Sequence, residues 1–546
     1  MQNLPKFRKI AQIRYSAAVQ NIREKKFIWP AFCLLAVLII YGRTLLGDFV
    51  FDDRGIVEHR ALLSDLNKFD RVLMMPYWTE AAGLYRPVVL ASYALNYVLA
   101  GSDPFGFHLV NLLFYAAGVF LIAEILKSLF KNNALAYLTA TLFLVLPIHT
   151  EAVANIIGRA EILALFFSLL AFRELLKEKI AWRRAGFWIF LALGSKETAV
   201  AAMPISILII YLKEKEFFSM PIMRKYGKAF SAMLAGGAFY FVLRFLVLGK
   251  TYFLKAATSI VENPLQFVSV KERIATALGV LVMYLEKTFW PLNLCSDYSY
   301  NQLAIIKGFL NPAVIIGVLI IIFFCSAIFI FLKRAPVLAL ASAVFIFSYL
   351  PIANLIFPTG TIAGERLMFY PSLGLCLLSA WLMLALPKKF YLPLILILLV
   401  FYGYLSFRRA GDWMTEKKLF ASAAECAPNS VLSQSNLGAD YYLSNDLDNA
   451  KKALLKAESI YDSYPKGVNN LGLVYWKQGD RETAKKYFLR ALSFDFPYYG
   501  AYENLALMAI EEKNRPEAEK WLMEFYSGDK AAADNYIEKY LQNSGF

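Results

Sequence analysis

The chain has 546 residues, 58% of them apolar, with a mean hydropathy of +0.48 and a formal net charge of +15. That much apolar surface excludes a wholly soluble protein and calls for a bilayer. Residues 411–546 hold 16 basic and 20 acidic side chains and the remainder 41 and 22, so the basic excess belongs to the apolar part, where positive-inside bias and anionic lipid headgroups explain it and a nucleic-acid partner does not.

From the N-terminus, Met1 to Lys26 carries seven Lys/Arg against one acid and runs into an apolar stretch without a small-residue cleavage site. This predicts a cytoplasmic basic N-terminus, 1–27, and a signal anchor over about 28–46. A polar stretch, 47–84, contains Phe51-Asp52-Asp53-Arg54 and leads to an amphipathic segment, 85–100, suited to the interface; the first loop, 47–105, is expected to face outward. Further spans are expected near 106–126, 134–148, 157–172, 184–194, 197–213, 229–248, 309–332, 335–356, 366–387 and 390–407. The basic clusters Arg173–Arg184, Lys213–Lys228, Lys333/Arg334 and Lys388/Lys389 are placed in the cytoplasm. Three apolar segments lie between the second and third clusters and only an even number can cross, so 274–292 is expected to be re-entrant or interfacial. That leaves eleven spans within 28–408 and puts the C-terminal part on the side of the Asp52 loop.

Beyond residue 408 the apolar runs stop. Asn436-Leu437-Gly438, Asn470-Leu471-Gly472 and Asn504-Leu505-Ala506 recur at an interval of 34, each followed by a helix rich in Ala and Leu. This period marks tetratricopeptide (TPR) repeats, with units about 432–465, 466–499 and 500–533 in a domain over 409–546. Such arrays stack helix pairs around a shared core and offer a groove for an extended peptide, or serve as spacers. The fold class is therefore all-α: polytopic membrane helices followed by a helical-repeat domain. Cys33, Cys295, Cys325, Cys376 and Cys426 stand singly, which points neither to a disulfide framework nor to a Cys-rich zinc site.

Several clusters have the residue types for chemistry. Asp52 and Asp53, adjacent carboxylates at a membrane surface, suit a general base and a metal or hydroxyl ligand, or equally a solvated loop pair or a helix cap. His149, Glu151, Arg159 and Glu161 share a short stretch between apolar helices, and with helical geometry Glu151 and Arg159 fall on roughly one face. His108 reads by default as a satisfied structural histidine. Lys196-Glu197 and Glu365-Arg366 interrupt hydrophobic segments; each pair is either a structural ion pair or, with Arg86 and Arg244, part of a set of cations able to grip a lipid-linked phosphate. The tract Ser296–Asn301 suits a sugar pocket or the interface. P-loop, GxSxG, HExxH and EF-hand patterns are absent from the sequence, so hydrolytic and ATP-driven readings lack support.

Asp52-Asp53 after the first span, YRP at 85–87, FHLVN at 107–111, LPIHTEAVANIIGRAE at 146–161, SKE at 195–197, SDYSYNQ at 296–302 and GERLMFYPSLG at 364–374, followed by TPR units, together resemble the transmembrane and TPR-containing protein O-mannosyltransferases. The resemblance implies a GT-C-type glycosyltransferase that takes mannose from a polyprenyl-phosphate donor and passes it, with inversion, to Ser/Thr hydroxyls of exported proteins on the non-cytoplasmic side. It implies Asp52 or Asp53 as base, Arg86, Arg159, Lys196 and Arg366 as donor-phosphate ligands, and His149, Glu151, Glu197 and Glu365 as site-shaping residues or a metal position; a divalent cation is neither required nor excluded. The expected partners are the lipid-linked donor, an acceptor peptide held by the repeats, and membrane lipids. The short array implies a bacterial relative, in the inner membrane with site and repeats facing the periplasm; a eukaryotic protein would place them in the ER lumen. Two other functions fit the same residues: a non-catalytic TPR membrane scaffold, and a transferase acting on a lipid or polysaccharide acceptor.

Overall fold

The computed structural model describes residues 28–78, 83–217, 219–249, 259–495 and 497–544; the basic N-terminus, 1–27, lies outside the described residues. The chain divides into two compact units. One takes residues up to 258, 268–294 and 305–418, and the other takes 259–267, 295–304 and 419–546. The second unit thus includes two short segments that a boundary drawn at 408 assigns to the membrane part, because hydropathy delimits only continuous stretches of chain.

The first unit is built from α1 (Ile28–Leu46), α2 (Pro87–Ala100), α3 (Pro104–Phe130), α4 (Asn133–Val145), α5 (Thr150–Ala154), α6 (Arg159–Leu175), α7 (Trp182–Ser195), α8 (Ala202–Glu214), α9 (Met220–Leu248), α10 (Val270–Phe289), α11 (Pro312–Ile330), α12 (Pro336–Tyr349), α13 (Pro371–Leu384) and α14 (Lys388–Ala410). Among the described residues, α1, α3, α9, α11 and α14 are long and apolar enough to cross a bilayer, and the segment Asn133–Val145 with Pro147–Ala154, bent by 56°, makes a sixth if counted as one. The protein is a multi-pass membrane protein, and of the eleven expected spans these are the ones that, among the described residues, form helices long enough by themselves to cross. The apolar runs near 157–172, 184–194, 197–213, 335–356 and 366–387 fold as helices of 13–17 residues, roughly 20–26 Å long and shorter than a hydrocarbon core of about 30 Å. Apolar composition alone cannot separate a short buried helix from a span.

Helices α9, α11 and α14 turn most of their apolar side chains outward, as lipid-facing surfaces must, with Val400 on α14 73% exposed, whereas α3 is largely buried. Helices α7 and α9 approach backbone to backbone, since a Cβ on Gly186 would meet the Ala232 carbonyl and one on Gly236 would meet that of Gly186. The first loop is not a loose polar stretch. Phe49, Ile56, Val57, Leu63, Val72 and Tyr77 bury themselves against Val89, Leu90 and Tyr93 of α2, Phe107 of α3 and Ile156, so the loop has a small core of its own.

The second unit contains the helical repeats. After α15 (Glu416–Cys426) come α16 (Val431–Leu443) with α17 (Leu447–Ile460), α18 (Pro465–Lys477) with α19 (Arg481–Leu492), α20 (Gly500–Glu511) with α21 (Arg515–Phe525), and α22 (Lys530–Ser544). The 34-residue period is visible in the turns. Asn445, Gly479 and Lys513 all take a left-handed backbone (φ 62°, 88° and 57°). The residues that follow, Asp446, Asp480 and Asn514, each cap a second helix by accepting the N–H of Asn449, Thr483 and Glu517.

Small residues set the helix spacing within each pair. A Cβ on Gly472 would lie 2.6 Å from Phe488, which is fully buried and has no room to move, whereas the third unit carries Ala506 at the equivalent position. Gly472→Leu is therefore expected to destabilise the array by about 1–3 kcal/mol through overpacking, measurable as a lower melting temperature. An unchanged midpoint would mean that the pair is more loosely packed than it looks.

One sequence expectation is corrected here: Cys295 and Cys426 are joined by a disulfide, with Cα atoms 5.7 Å apart across 131 residues of sequence. Single cysteines far apart in a sequence carry no sign of pairing, which only the fold supplies.

Candidate active site

The chain leaves α1 and turns at Phe51, whose φ of 51° is uncommon for a residue with a side chain. Glu416 holds the turn, accepting the Phe51 N–H at 3.2 Å and the Arg54 Nε at 2.8 Å. After the turn the two adjacent aspartates have different surroundings. Asp53 is fully buried; its Oδ1 accepts the N–H of Ile157 at 2.9 Å and its Oδ2 that of Val50 at 3.3 Å. Asp52 remains partly exposed and lies within the electrostatic reach of Arg366 and Tyr77.

Burial pushes the Asp53 carboxyl up from its ordinary 3.8 to about 7, against the opposing pull of the backbone N–H groups around it. A carboxyl raised in the fold keeps its proton where the unfolded chain has lost it. Its contribution to stability is thus complete below about pH 4 and is lost as pH rises through about 7. Asp53→Asn should flatten this dependence, read as protease protection of the first loop across that interval. An identical pH profile in the variant would count against an uncharged Asp53.

The remaining candidates sit where local breaks in helical structure put them. Pro87 opens α2 and leaves Arg86 as the residue before it. Tyr85 is fixed by its hydroxyl on the Leu73 carbonyl, at 2.8 Å, and by the Tyr240 hydroxyl on its own carbonyl, at 3.0 Å. The Arg86 guanidinium lies over the Tyr77 ring at 4.8 Å and reaches Glu197 Oε2 at 3.2 Å. Arg244, on α9, meets the other oxygen of Glu197 at 2.9 Å. Two guanidiniums therefore share one carboxylate; their side chains are 14% and 16% exposed.

Lys196 pairs with Glu161, both buried. Arg366 pairs with Glu151, whose Oε1 accepts Arg366 Nη1 at 2.6 Å and whose Oε2 accepts the Arg366 backbone N–H at 2.8 Å. Tyr284 of α10 holds Gly364, two residues before Arg366, in place, its hydroxyl accepting the Gly364 N–H at 2.9 Å and donating to the Gly364 carbonyl at 3.1 Å. These ion pairs interact with one another, Arg86 with Glu161, Lys196 with Arg86 and Arg366, and Arg366 with Glu161 and Asp52. Asp52, Arg86, Glu151, Glu161, Lys196, Glu197, Arg244 and Arg366 thus form one charged network. Lys196 and Glu197, neighbours in sequence, thus take different ion-pair partners, and Arg366 takes Glu151.

Three further expected site residues, Arg159, His149 and Glu365, are buried. The helix does not run through 151–161: it ends at Ala154, Asn155 is extended, and a 3-10 turn over Ile156–Gly158 intervenes before α6. Glu151 and Arg159 therefore do not share a helical face. Arg159 is fully buried and donates to Asn111 Oδ1 at 2.7 Å, to the Phe107 carbonyl at 2.8 Å and to the carbonyl and hydroxyl of Ser92 at 3.3 Å, with its guanidinium over the Tyr93 ring. This is a brace between α2, α3 and α6. His149 is likewise buried, between the rings of Phe143 and Phe369, with its nitrogens at 3.2 Å from the Tyr115 hydroxyl and 2.7 Å from Ser372. Glu365 is buried at the start of a short 3-10 helix.

Among the described residues no group of three or more His, Cys, Asp and Glu side chains is placed to hold a metal ion. Asn111, Ser92, Tyr284 and Glu416 were missed by sequence reasoning. Uncharged or distant partners carry no local signal, although Asn111 stands in the FHLVN segment.

A tetratricopeptide-repeat family model matches residues 466–497. The chain is 30% identical over 415 residues to protein O-mannosyl-transferase F38B6.6 of Caenorhabditis elegans, covering 73% of this chain and 58% of that one. It is 28% identical over 485 residues to human protein O-mannosyl-transferase TMTC4, covering 75% and 63%, and 25% identical over 467 residues to human TMTC3, covering 78% and 50%. The chain thus spans between half and two thirds of the length of these relatives.

Proposed function

We propose that the protein is a membrane glycosyltransferase that moves mannose from a polyprenyl-phosphate donor to Ser/Thr hydroxyls of exported proteins, with Asp52 as general base. The observation that carries this reading is the convergence of Asp52, Arg86, Lys196, Arg244 and Arg366 in one network of a membrane unit whose relatives are named protein O-mannosyl-transferases. As the sugar–phosphate bond breaks, negative charge grows on the leaving oxygen, and fixed cations stabilise it without reorganisation. Arg86 and Arg244, held side by side by the carboxylate of Glu197, and the partly exposed Arg366 suit that task. Asp52 takes the hydroxyl proton as the acceptor oxygen attacks, with inversion and without a covalent intermediate. Asp53 and Arg159 act on this chemistry through shape.

In this reading the site and the repeats face the non-cytoplasmic side, and the repeats present the acceptor segment. The bond from the Tyr300 N–H to the Val261 carbonyl, at 2.8 Å, joins the two chain segments that flank α10 and so supports α10 as interfacial instead of spanning.

The test is transfer of labelled mannose from polyprenyl-phosphate-mannose in membranes containing the protein, with protein and glycan acceptors both supplied. Label that enters protein and is released by β-elimination is the expected result. Label in polysaccharide or lipid would identify the other acceptor class, and no transfer to any acceptor would favour a scaffold.

A further inference from the structure

We propose that Cys295 and Cys426 are a site of oxidative modification whose disulfide staples a loop segment onto the repeat unit as its N-terminal cap. The five cysteines divide by environment. Cys33, Cys325 and Cys376 lie within the apolar helices α1, α11 and α13 and are free thiols, whereas the two that lie outside apolar helices are bonded to each other.

The residues around the bond bring the same two segments together without it. The Asp297 carboxylate accepts the Ser299 N–H at 2.9 Å and hydroxyls from Ser299 at 3.1 Å, Ser433 at 2.6 Å and Ser430. The Asn301 N–H donates to the Asn429 carbonyl at 3.1 Å, and the Val431 N–H, one of the unpaired donors at the start of α16, reaches the Tyr300 carbonyl at 2.7 Å. Tyr300 packs its ring on Tyr461 of the first helix pair. A repeat stack needs a polar cover over its terminal unit, and the tract 296–302 supplies it here. Its polar groups are thereby used for capping instead of for lining a sugar pocket.

Forming the bond removes one proton and one electron from each thiol. An oxidised dithiol protein of the compartment accepts the electron pair by thiol–disulfide exchange, so that its own S–S bond is broken as the new one forms. A reducing cytosol would leave both cysteines as thiols.

The experiment uses the full-length protein in membranes of its own cells. Thiols are labelled under denaturing conditions with a maleimide carrying a mass tag, with or without prior reduction. Three tags without reductant and five with it are expected for the wild type, and four under both conditions for Cys295→Ser. Five tags in the unreduced wild type would overturn the assignment. Limited proteolysis tests the cap separately. Reduction should speed cleavage within 419–546 in the wild type and change nothing in Cys295→Ser/Cys426→Ser, whereas cleavage indifferent to reduction in the wild type would overturn the stapling role.

Discussion

Asp52→Asn is expected to lower mannosyl transfer by about 10²–10⁴-fold, the usual contribution of a positioned general base, while the protein remains folded in the membrane. The amide keeps the side chain's size and removes its negative charge and its capacity to take a proton, and Asp52 is partly exposed rather than a core residue. Asp53→Asn should behave differently. Its side chain is buried and engaged by Ile157 and Val50, so the expected effect is a milder loss of activity together with altered protease protection of the first loop. Steady-state kinetics of both variants separate the roles. A loss confined to Asp53→Asn, with an acid limb near pH 7 in the wild type that vanishes in that variant, would transfer the base function to Asp53, whose carboxyl burial raises to about 7.

Arg366 gives the second large effect, and the choice of substitution decides what is measured. Arg366→Ala strands Glu151, which is 1% exposed and has Arg366 as its ion-pair partner. Breaking a buried pair from one side costs about 3–5 kcal/mol, enough to deplete folded protein in membranes. Arg366→Lys keeps the charge beside Glu151 but loses the planar fork that can hold a carboxylate and a phosphate together. This variant should remain folded and lose about 10²–10³-fold in kcat, in the range of deleting one donor to a developing oxyanion. Full activity in Arg366→Lys would remove Arg366 from the phosphate side of the site and leave it a structural partner of Glu151. The relative abundance of the two variants, measured in membranes before any assay, distinguishes the two roles.

Features that repeat locally along the chain were legible in the sequence. Hydropathy located α1, α3, α9, α11 and α14, and the interval of 34 located the repeats, because lipid-facing surface and helix-pair stacking each impose a pattern within a few dozen residues. The charged residues of the network were also legible as types: Asp52, Arg86, Glu151, Lys196, Glu197, Arg244 and Arg366 stand out against apolar surroundings, where burying them is costly without partners.

Which partner each one takes was decided by the tertiary structure alone. Lys196 and Glu197 are neighbours in sequence yet pair with Glu161 on one side and with Arg86 and Arg244 on the other. Asp52 and Asp53, alike in sequence, both follow the left-handed turn at Phe51, yet one is a partly exposed carboxylate and the other a buried one. The segments 259–267 and 295–304 join the repeat unit across more than a hundred residues, drawing Cys295 to Cys426. The physical reason is the same in each case. Periodicity and composition record the solvent each stretch must meet, whereas the pairing of charges, hydroxyls and thiols depends on chain packing that brings distant residues within hydrogen-bonding or bonding distance.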